Sequence, residues 1–218
     1  MAELRFSICG AAPVQYAASP LLALDVRIEA PEPVESLLLR TSVRIEAGAR
    51  ETTPDEEARL KELFGNKDQW SRGSRSVLWT QVVNVVSAFS ESTQVAITLP
   101  VSYDLAAIAS KYLRALDGGT VPIRAQFAGT AFFRREQGLS AAPIALDREA
   151  SFELPVRTFN EVVEQHFPGS ALITVKRELF DRLEAVRIER GLASFDQAIE
   201  ALLAPRASRP ARSKRGLA

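Results

Sequence analysis

The sequence is poor in the side chains that carry most enzyme chemistry, with one His, one Cys and one Met among 218 residues. Zinc and iron–sulfur sites need several His or Cys ligands, so His166 and Cys9 are too few to build either. A single Cys forms no internal disulfide, and such usage is typical of a reducing compartment. We therefore expect no metal, no cofactor and a cytoplasmic location.

Sequence motifs for nucleotide binding and for nucleophilic catalysis are also missing, since GxGxxG, GxxxxGK[ST] and GxSxG do not occur. Two groups of acidic residues could be considered as acid–base pairs. The run Asp55–Glu57 lies at a predicted helix start, and Asp147 and Glu149 lie in a predicted loop. Carboxylates at such positions are usually solvated. His166 follows an apolar-periodic segment and precedes Pro168-Gly169, which predicts a structural role at a helix C-terminus. The sequence thus predicts a protein that is not an enzyme.

The chain has neither a net charge nor a long apolar run. Its 27 basic and 27 acidic residues balance, so no overall field favours nucleic acid or anionic lipid. No run approaches the roughly 18 apolar residues of a membrane span, and the N-terminus lacks the regions of a secretion signal. Five basic residues and no acidic one lie between Arg206 and Arg215. We expect residues 205–218 to form a disordered basic tail.

Alternation of apolar and polar residues predicts several half-buried strands. Three of them begin near Leu4, Leu24 and Leu39. The later ones are predicted at Val77–Phe89, Gln94–Leu99, Val121–Phe133 and Ala150–Val156. One polar face per strand is typical of antiparallel sheets whose outer face meets water. Cys9 falls in the first strand, and we expect it to be a small buried hydrophobe.

Two helices interrupt these strands. The run Thr53-Pro54-Asp55-Glu56 is a capping box with proline at the first helical position, and the helix it opens should bury Leu60, Leu63 and Phe64. Asp104 can cap a second helix, whose apolar stripe should be buried on the sheet. This stripe consists of Leu105, Ile108, Ala109, Tyr112, Leu113 and Leu116.

Many short strands with few helices between them predict an α+β fold, either an antiparallel β-sandwich or a curled sheet with inserted helices, plus a C-terminal helical hairpin. We expect residues 1–170 to form the mainly antiparallel β domain with two or three short helices. Residues 171–204 should form a strand-helix-helix appendage packed on it.

The C-terminal segment is similar in outline to a ribbon-helix-helix unit. Ile173 and Val175 alternate with polar neighbours, a helix ends at Gly191, and Ser194 caps a second helix with Gln197 at its third position. In ribbon-helix-helix proteins two such strands pair across a dimer and enter the major groove. The resemblance implies DNA contacts by Thr174, Lys176 and Arg177.

The charge of this segment argues against DNA binding. Residues 172–204 carry five basic and six acidic side chains, which is a poor electrostatic footprint for phosphate. We therefore favour the alternative, in which the hairpin packs onto its own β domain.

A polar segment, Asn66–Ser76, carries Trp70 among basic residues. A tryptophan in such a loop more often packs onto the body of the protein than serves as a ligand lid. The candidates for an interaction site in this region are Trp70, Trp79, Arg72 and Arg75.

Particular residues resemble a bacterial family known only as a domain of unknown function, over a region from Leu4 to about Leu203. They are Leu63-Phe64-Gly65, Trp70, Leu78-Trp79-Thr80, Phe89, Tyr103-Asp104-Leu105 through Lys111-Tyr112-Leu113, Val121-Pro122 and Phe127-Ala128-Gly129-Thr130. The family usually has Cys where this chain has Ser102, which argues against an essential thiol there. Its genes often lie near those of uptake nickel–iron hydrogenases, so the resemblance implies an accessory role.

A fainter likeness links Leu99-Pro100, Tyr103, Gly119 and Val121-Pro122 to the end of the export chaperone SecB. We expect a non-enzymatic accessory or maturation factor that binds another protein, linked to a metalloenzyme such as an uptake hydrogenase. The alternatives are a DNA-binding regulator, a SecB-like client-holding chaperone, or a small-ligand binder with Trp70 or Trp79 in its pocket.

Overall fold

The structure is a computed structural model that describes residues 1–65, 76–101, 108–171, 173 and 175–204. The chain divides into two compact units, Met1–Leu172 and Ile173–Ala218. The strands are β1 (Arg5–Pro13), β2 (Leu21–Glu29), β3 (Ser36–Glu46), β4 (Ser76–Val86), β5 (Ser92–Pro100), β6 (Thr120–Arg135), β7 (Gly138–Pro143) and β8 (Glu149–Pro155). The helices are α1 (Pro54–Phe64), α2 (Ile108–Arg114), α3 (Val156–His166), α4 (Arg177–Glu189) and α5 (Phe195–Leu203), with a 3-10 turn at Ala47–Ala49.

The first unit contains two sheets in which every strand pair is antiparallel. One has the order β1-β2-β5, and the other has the order β4-β3-β6-β7 with β8 also paired to β6. Because apolar and polar residues alternate, each sheet has a buried and an exposed face. On β2, for example, Leu24 and Val26 are fully buried whereas Asp25 and Arg27 are exposed.

The buried faces of the two sheets form one hydrophobic core. Phe6 of β1 stacks on Phe127 of β6 with ring centroids 4.2 Å apart, which joins the two sheets directly. The predicted α+β class, with antiparallel sheets, inserted helices and helices at the C-terminus, is confirmed. None of the helices in the described part of the chain is long and apolar enough to cross a membrane.

Helix α1 begins as the sequence predicts. The Thr53 hydroxyl accepts a hydrogen bond from the Glu56 amide at 3.3 Å, and the Glu56 carboxylate accepts one from the Thr53 amide at 2.9 Å. Pro54 occupies the first helical position, and Leu60 is fully buried. Gly65, at φ 73°, ends the helix in a conformation that favours glycine.

The carboxylate of Glu56 also forms hydrogen bonds that are not part of the capping box. It is almost completely buried, and it accepts hydrogen bonds from both Nη atoms of Arg50 at 2.9 Å and from the Asp117 amide at 3.0 Å. Arg50 in turn donates to the carbonyl oxygens of Gly118 and Thr120, at 2.8 and 3.0 Å. This group of contacts, here called the Glu56 cluster, joins α1 to the segment after β3 and to the segment between α2 and β6.

Electrostatics in the Glu56 cluster follow from these contacts. The hydrogen bonds from Arg50, with those from the Thr53 and Asp117 amides, outweigh burial and lower the pKa of Glu56 from 4.5 to about 2. The same hydrogen bonds raise the pKa of Arg50. Burial raises the pKa of Tyr112, in α2, to about 12. Glu56 and Arg50 are therefore both charged throughout the physiological range.

Glu56→Gln should lower the free energy of unfolding by about 3–5 kcal/mol at pH 7, because it leaves the Arg50 guanidinium without its carboxylate in a buried site. The ion pair stabilises the fold fully above about pH 4.5, and this contribution is lost as the pH falls through about 2. As the pH falls from about 4.5 to about 2, the free energy of unfolding should therefore decrease less for the variant than for the wild type. Urea unfolding at pH 7 and across the acidic range measures both effects.

Glu62→Gln is the matched control on the same helix, since Glu62 pairs with Lys111 at 2.7 Å but is largely exposed. Exposed ion pairs contribute about 0–1 kcal/mol. Equal unfolding curves for the Glu56 and Glu62 variants would contradict the structural role of the cluster.

The second predicted helix is present as α2, although its expected cap Asp104 and Leu105 lie outside the described residues. The stripe is buried at Ala109, Tyr112, Leu113 and Leu116. The expectation for Ile108 was wrong. As the first residue of α2 it is 52% exposed.

Leu113→Ala should lower the free energy of unfolding by about 2–5 kcal/mol, because it removes a fully buried side chain and leaves a cavity. Ile108→Ala on the same helix is the control and should change the value by less than about 1 kcal/mol, as surface substitutions usually do. Denaturant melts measure both. A Leu113 variant as stable as the wild type would show that the stripe is not part of the core.

Other sequence predictions need correction. Cys9 is exposed rather than buried, because it lies on the outward-facing side of β1 with Arg5 and Ser7. Strand β4 ends at Val86, three residues before the predicted end, and the strand β7 was not predicted. Residues 205–218, the predicted tail, lie outside the described residues.

The second unit is a helical hairpin of α4 and α5. Gly191, at φ 62°, follows α4, and the Ser194 hydroxyl accepts a hydrogen bond from the Gln197 amide at 3.2 Å. The predicted helices and cap are thus confirmed. Between the two helices, the ring centroids of Phe180 and Phe195 are 5.3 Å apart.

Candidate functional site

Three of the four predicted interaction residues, Trp70, Arg72 and Arg75, lie outside the described residues. The fourth, Trp79, is in β4, where its Nε1 donates a hydrogen bond to the Pro100 carbonyl oxygen at 3.0 Å and its ring packs partly buried against the core. These contacts give Trp79 a structural role in fastening β4 to the end of β5.

Of the predicted DNA contacts, Thr174 lies outside the described residues. Lys176 is exposed and directly precedes α4. Arg177 forms an ion pair with Asp181 at 2.8 Å and lies over the Phe180 ring at 5.6 Å. Its guanidinium is therefore already engaged within its own helix.

Four of the five large apolar side chains that are exposed on the described strands lie on β3 and β4. Val83, Val85 and Leu38 are 63%, 76% and 45% exposed. Val85 lies opposite Leu38 and Val83 lies opposite Arg40 in the strand register, so these side chains are neighbours. We call this surface the β3–β4 face and define it as Leu38, Arg40, Leu78, Val83 and Val85.

Among the described residues, one cation of the β3–β4 face has no side-chain partner. Strand β4 contains no charged residue, and Arg44 of β3 is occupied by Ser76, whose hydroxyl accepts from its Nε at 2.7 Å. The Arg40 side chain is exposed and forms no hydrogen bond or ion pair with another described residue. The face therefore combines apolar side chains with one available guanidinium.

Gly129 of β6 holds Leu38 of this face in place. It pairs with Leu39 in the register and has φ 142°, a conformation that favours glycine. A Cβ at this position would collide with the Leu38 carbonyl oxygen. The close approach of β6 at Gly129 thus fixes the backbone of β3 at Leu38 and Leu39.

A signal for this face was present in the sequence. The run Val82-Val83-Asn84-Val85-Val86 is apolar at positions that point to both sides of a strand, whereas a half-buried strand has one polar side. The apolar outward positions of this run, Val83 and Val85, distinguish it from a half-buried strand with a polar outer face.

A polar groove of about 650 Å³ lies at the end of the sheet that contains β1, β2 and β5. Its charged lining residues are three arginines and three glutamates: Arg5, Arg27, Arg148, Glu3, Glu29 and Glu91. Arg27 and Glu29 pair with each other at 3.0 Å. The groove has no net charge to select an ion, and Trp79 does not line it.

His166 is the last residue of α3, as predicted. Its Nδ1 lies 3.1 Å from the Val162 carbonyl oxygen, and its Nε2 lies 3.1 Å from the Ala17 carbonyl oxygen. The ring therefore ties the end of α3 to the loop before β2. Within the described ranges, no three His, Cys, Asp or Glu side chains converge in a way that could hold a metal ion.

Comparison with solved structures finds distant likenesses. The chain is similar to the ApaA protein from Bordetella pertussis, at 14% identity over 70% of this chain and 93% of that one, with a TM-score of 0.28. It is also similar to β-glucosidase 3B from Thermotoga neapolitana, at 13% identity over 70% of this chain and 17% of that one, with a TM-score of 0.26. Scores this low carry no argument about fold or function.

No curated protein matches the chain. Residues 1–211, nearly the whole sequence, match a family of unknown function, DUF6084. The resemblance to an uncharacterised family is confirmed, whereas a link to hydrogenases stays a prediction. The chain belongs to the DUF6084 family.

Proposed function

We propose that this protein is a non-enzymatic accessory or maturation factor that binds another protein through the β3–β4 face. The observation that supports the proposal is the exposure of Val83, Val85 and Leu38 side by side on one sheet. Apolar residues scattered singly on a surface need no explanation, but contiguous ones are typical of interaction sites.

The position of β4 supports the same conclusion. It is the terminal strand in the order β4-β3-β6-β7, so it has one hydrogen-bonded neighbour among the described strands. Terminal strands usually carry charges that discourage pairing with other chains, yet β4 has none. An uncharged, apolar terminal strand carries a risk of aggregation. Its presence is expected where a partner protein covers it.

The chemistry of the face defines the partner that fits it. Val83 and Val85 require apolar side chains opposite them, and the guanidinium of Arg40 requires a carboxylate. We infer a protein segment with apolar residues around an acidic one. A cytoplasmic metalloenzyme, such as an uptake hydrogenase, is the client that the family resemblance implies.

Val83→Glu should weaken this binding, because it removes an apolar contact and places a carboxylate opposite Arg40 that competes with the partner's own. The fold should tolerate the change, since Val83 is exposed and opposite charges across two strands attract. The test is affinity capture from the native host, followed by equilibrium binding with the purified partner. We expect at least about tenfold weaker binding, or about 1.4 kcal/mol.

Leu139→Glu is the matched control. Leu139 is an exposed apolar residue of β7 that lies opposite Arg134, as Val83 lies opposite Arg40, but far from the β3–β4 face in the strand order. The Leu139→Glu variant should bind the partner with the affinity of the wild type. A partner retained equally by both variants would rule out the β3–β4 face as its site.

The DNA-binding alternative makes a different prediction. A groove reader would bind duplex DNA selectively, with a steep salt dependence, and would lose selectivity in Lys176→Ala. We expect no selective binding, because Arg177 is engaged within its helix and the hairpin has no excess of basic residues. Gel-shift titrations at about 50 and 200 mM salt decide this. Weak retention that disappears when residues 205–218 are deleted would reflect the basic tail alone.

A further inference from the structure

Strand β4 uses alternate residues to pair with β3. Val34 and Phe89, just outside the two strands, donate to each other's carbonyl oxygens at 2.9 and 3.0 Å. Leu38 lies four residues after Val34 and opposite Val85, which lies four residues before Phe89, so the register is unchanged. In an antiparallel pair, hydrogen-bonded and non-hydrogen-bonded residue pairs alternate. Val85, and Val83 two residues before it, therefore direct their backbone N–H and C=O groups toward β3.

The residues that alternate with them, Val82 and Asn84, direct these groups away from β3. No described strand lies on that side, because β4 is the last strand in its sheet. Neither residue forms a backbone hydrogen bond with a loop or helix of the described chain. Val86, the next such residue, is almost completely buried. We call the outward N–H and C=O groups of Val82 and Asn84 the β4 edge.

The side chain of Asn84 adds a further group without a partner. Its Oδ1 atom is shielded from solvent and accepts no hydrogen bond within the described part of the chain. Buried polar atoms are nearly always hydrogen-bonded, so this exception indicates a missing donor. Asn84 thus lacks partners for its backbone and for its side chain at one place in the fold.

The spacing of these groups defines what fits the β4 edge. N–H and C=O groups on every second residue are matched by the backbone of another extended segment, as when a peptide adds a strand to a sheet. Strand β4 has no charge that would oppose such pairing. The exposed side chains of Val83 and Val85 would lie beside those of the added strand. The occupant is therefore an extended segment with apolar residues at every second position.

We propose that the partner protein supplies this segment and pairs it with the β4 edge as an additional strand of the sheet. This inference rests on the proposed function, because the added strand places its apolar side chains beside the β3–β4 face. It specifies the mode of binding. Backbone hydrogen bonds to Val82 and Asn84 supply affinity, and alternate side chains supply specificity.

The test uses Val82→Pro, which removes one outward N–H and places the proline ring at the β4 edge. Proline is tolerated in a terminal strand where the N–H points away from the sheet, so the pairing of β4 with β3 should be retained. Val82→Ala is the matched control, because it removes more of the side chain but keeps the N–H. Denaturant unfolding of both variants checks the fold.

The probe is a phage library of random peptides of about ten residues, the upper end of typical strand lengths. Peptides are selected on the full-length wild type and then measured against each variant. We expect binders with apolar residues at alternate positions. They should bind Val82→Ala like the wild type, and Val82→Pro and Val83→Glu at least about tenfold more weakly.

Amide hydrogen exchange of the wild type, resolved by residue, is a measurement that needs no variant. In the free protein the amides of Val82 and Asn84 should exchange quickly, whereas those of Val83 and Val85 should exchange slowly. A bound peptide should slow the exchange of the first two. If Val82→Pro does not fold, this measurement decides.

Failure of this inference is distinguishable from failure of the proposed function. Peptides that bind Val82→Pro and Val82→Ala equally, but bind Val83→Glu weakly, would retain the β3–β4 face and overturn strand pairing. Peptides bound equally by all the variants would contradict both. A library without binders, or amides of Val82 and Asn84 that already exchange slowly in the free protein, would overturn the inference. The affinity capture with Val83→Glu tests the proposed function separately.

Discussion

The ion pair between Glu56 and Arg50 is the contact on which the arrangement of the first unit depends. One carboxylate accepts hydrogen bonds from a guanidinium and two backbone amides, and the same guanidinium donates to two carbonyl oxygens. Burying two charges has a high desolvation cost, so such a pair contributes mainly by penalising other arrangements. In this fold it fixes where α1 meets the segment after β3 and the segment that leads into β6.

The cluster also shows which part of the fold was accessible from the sequence. The capping box named Thr53 and Glu56, because their relation is local and spans three residues. The motif does not predict the contacts of Glu56 with Arg50 or Asp117. The contact with Asp117 joins residues that are 61 positions apart. The strands of both sheets were predictable from alternation, and β7 was missed because its six residues, mostly small and exposed, show no clear alternation.

Two further residues show where a local pattern is not sufficient. Alternation with Phe6 and Ile8, which point inward, places Cys9 on the outward side of β1, although cysteine is a residue type that is usually buried. The Trp79 indole donates to the Pro100 carbonyl oxygen, and its role as an interaction residue stays a prediction. The apolar residues that are exposed lie a few positions further along the same strand. Their exposure depends on which strands and helices cover each side of β4, which no local pattern specifies.

The composition of β4 has a consequence for the protein before it has finished folding. The fifteen residues Ser76–Ser90 carry no charge and are rich in valine, and Arg75 and Glu91 flank them. Uncharged β-branched segments of this kind stack readily into cross-β fibrils when they are exposed, and flanking charges are the usual protection. Among the described strands, β4 is paired on one side only. Newly synthesised copies that have not yet paired β4 with β3 should therefore be the aggregation-prone species, so solubility in the cell should depend on the rate at which this one strand pair forms.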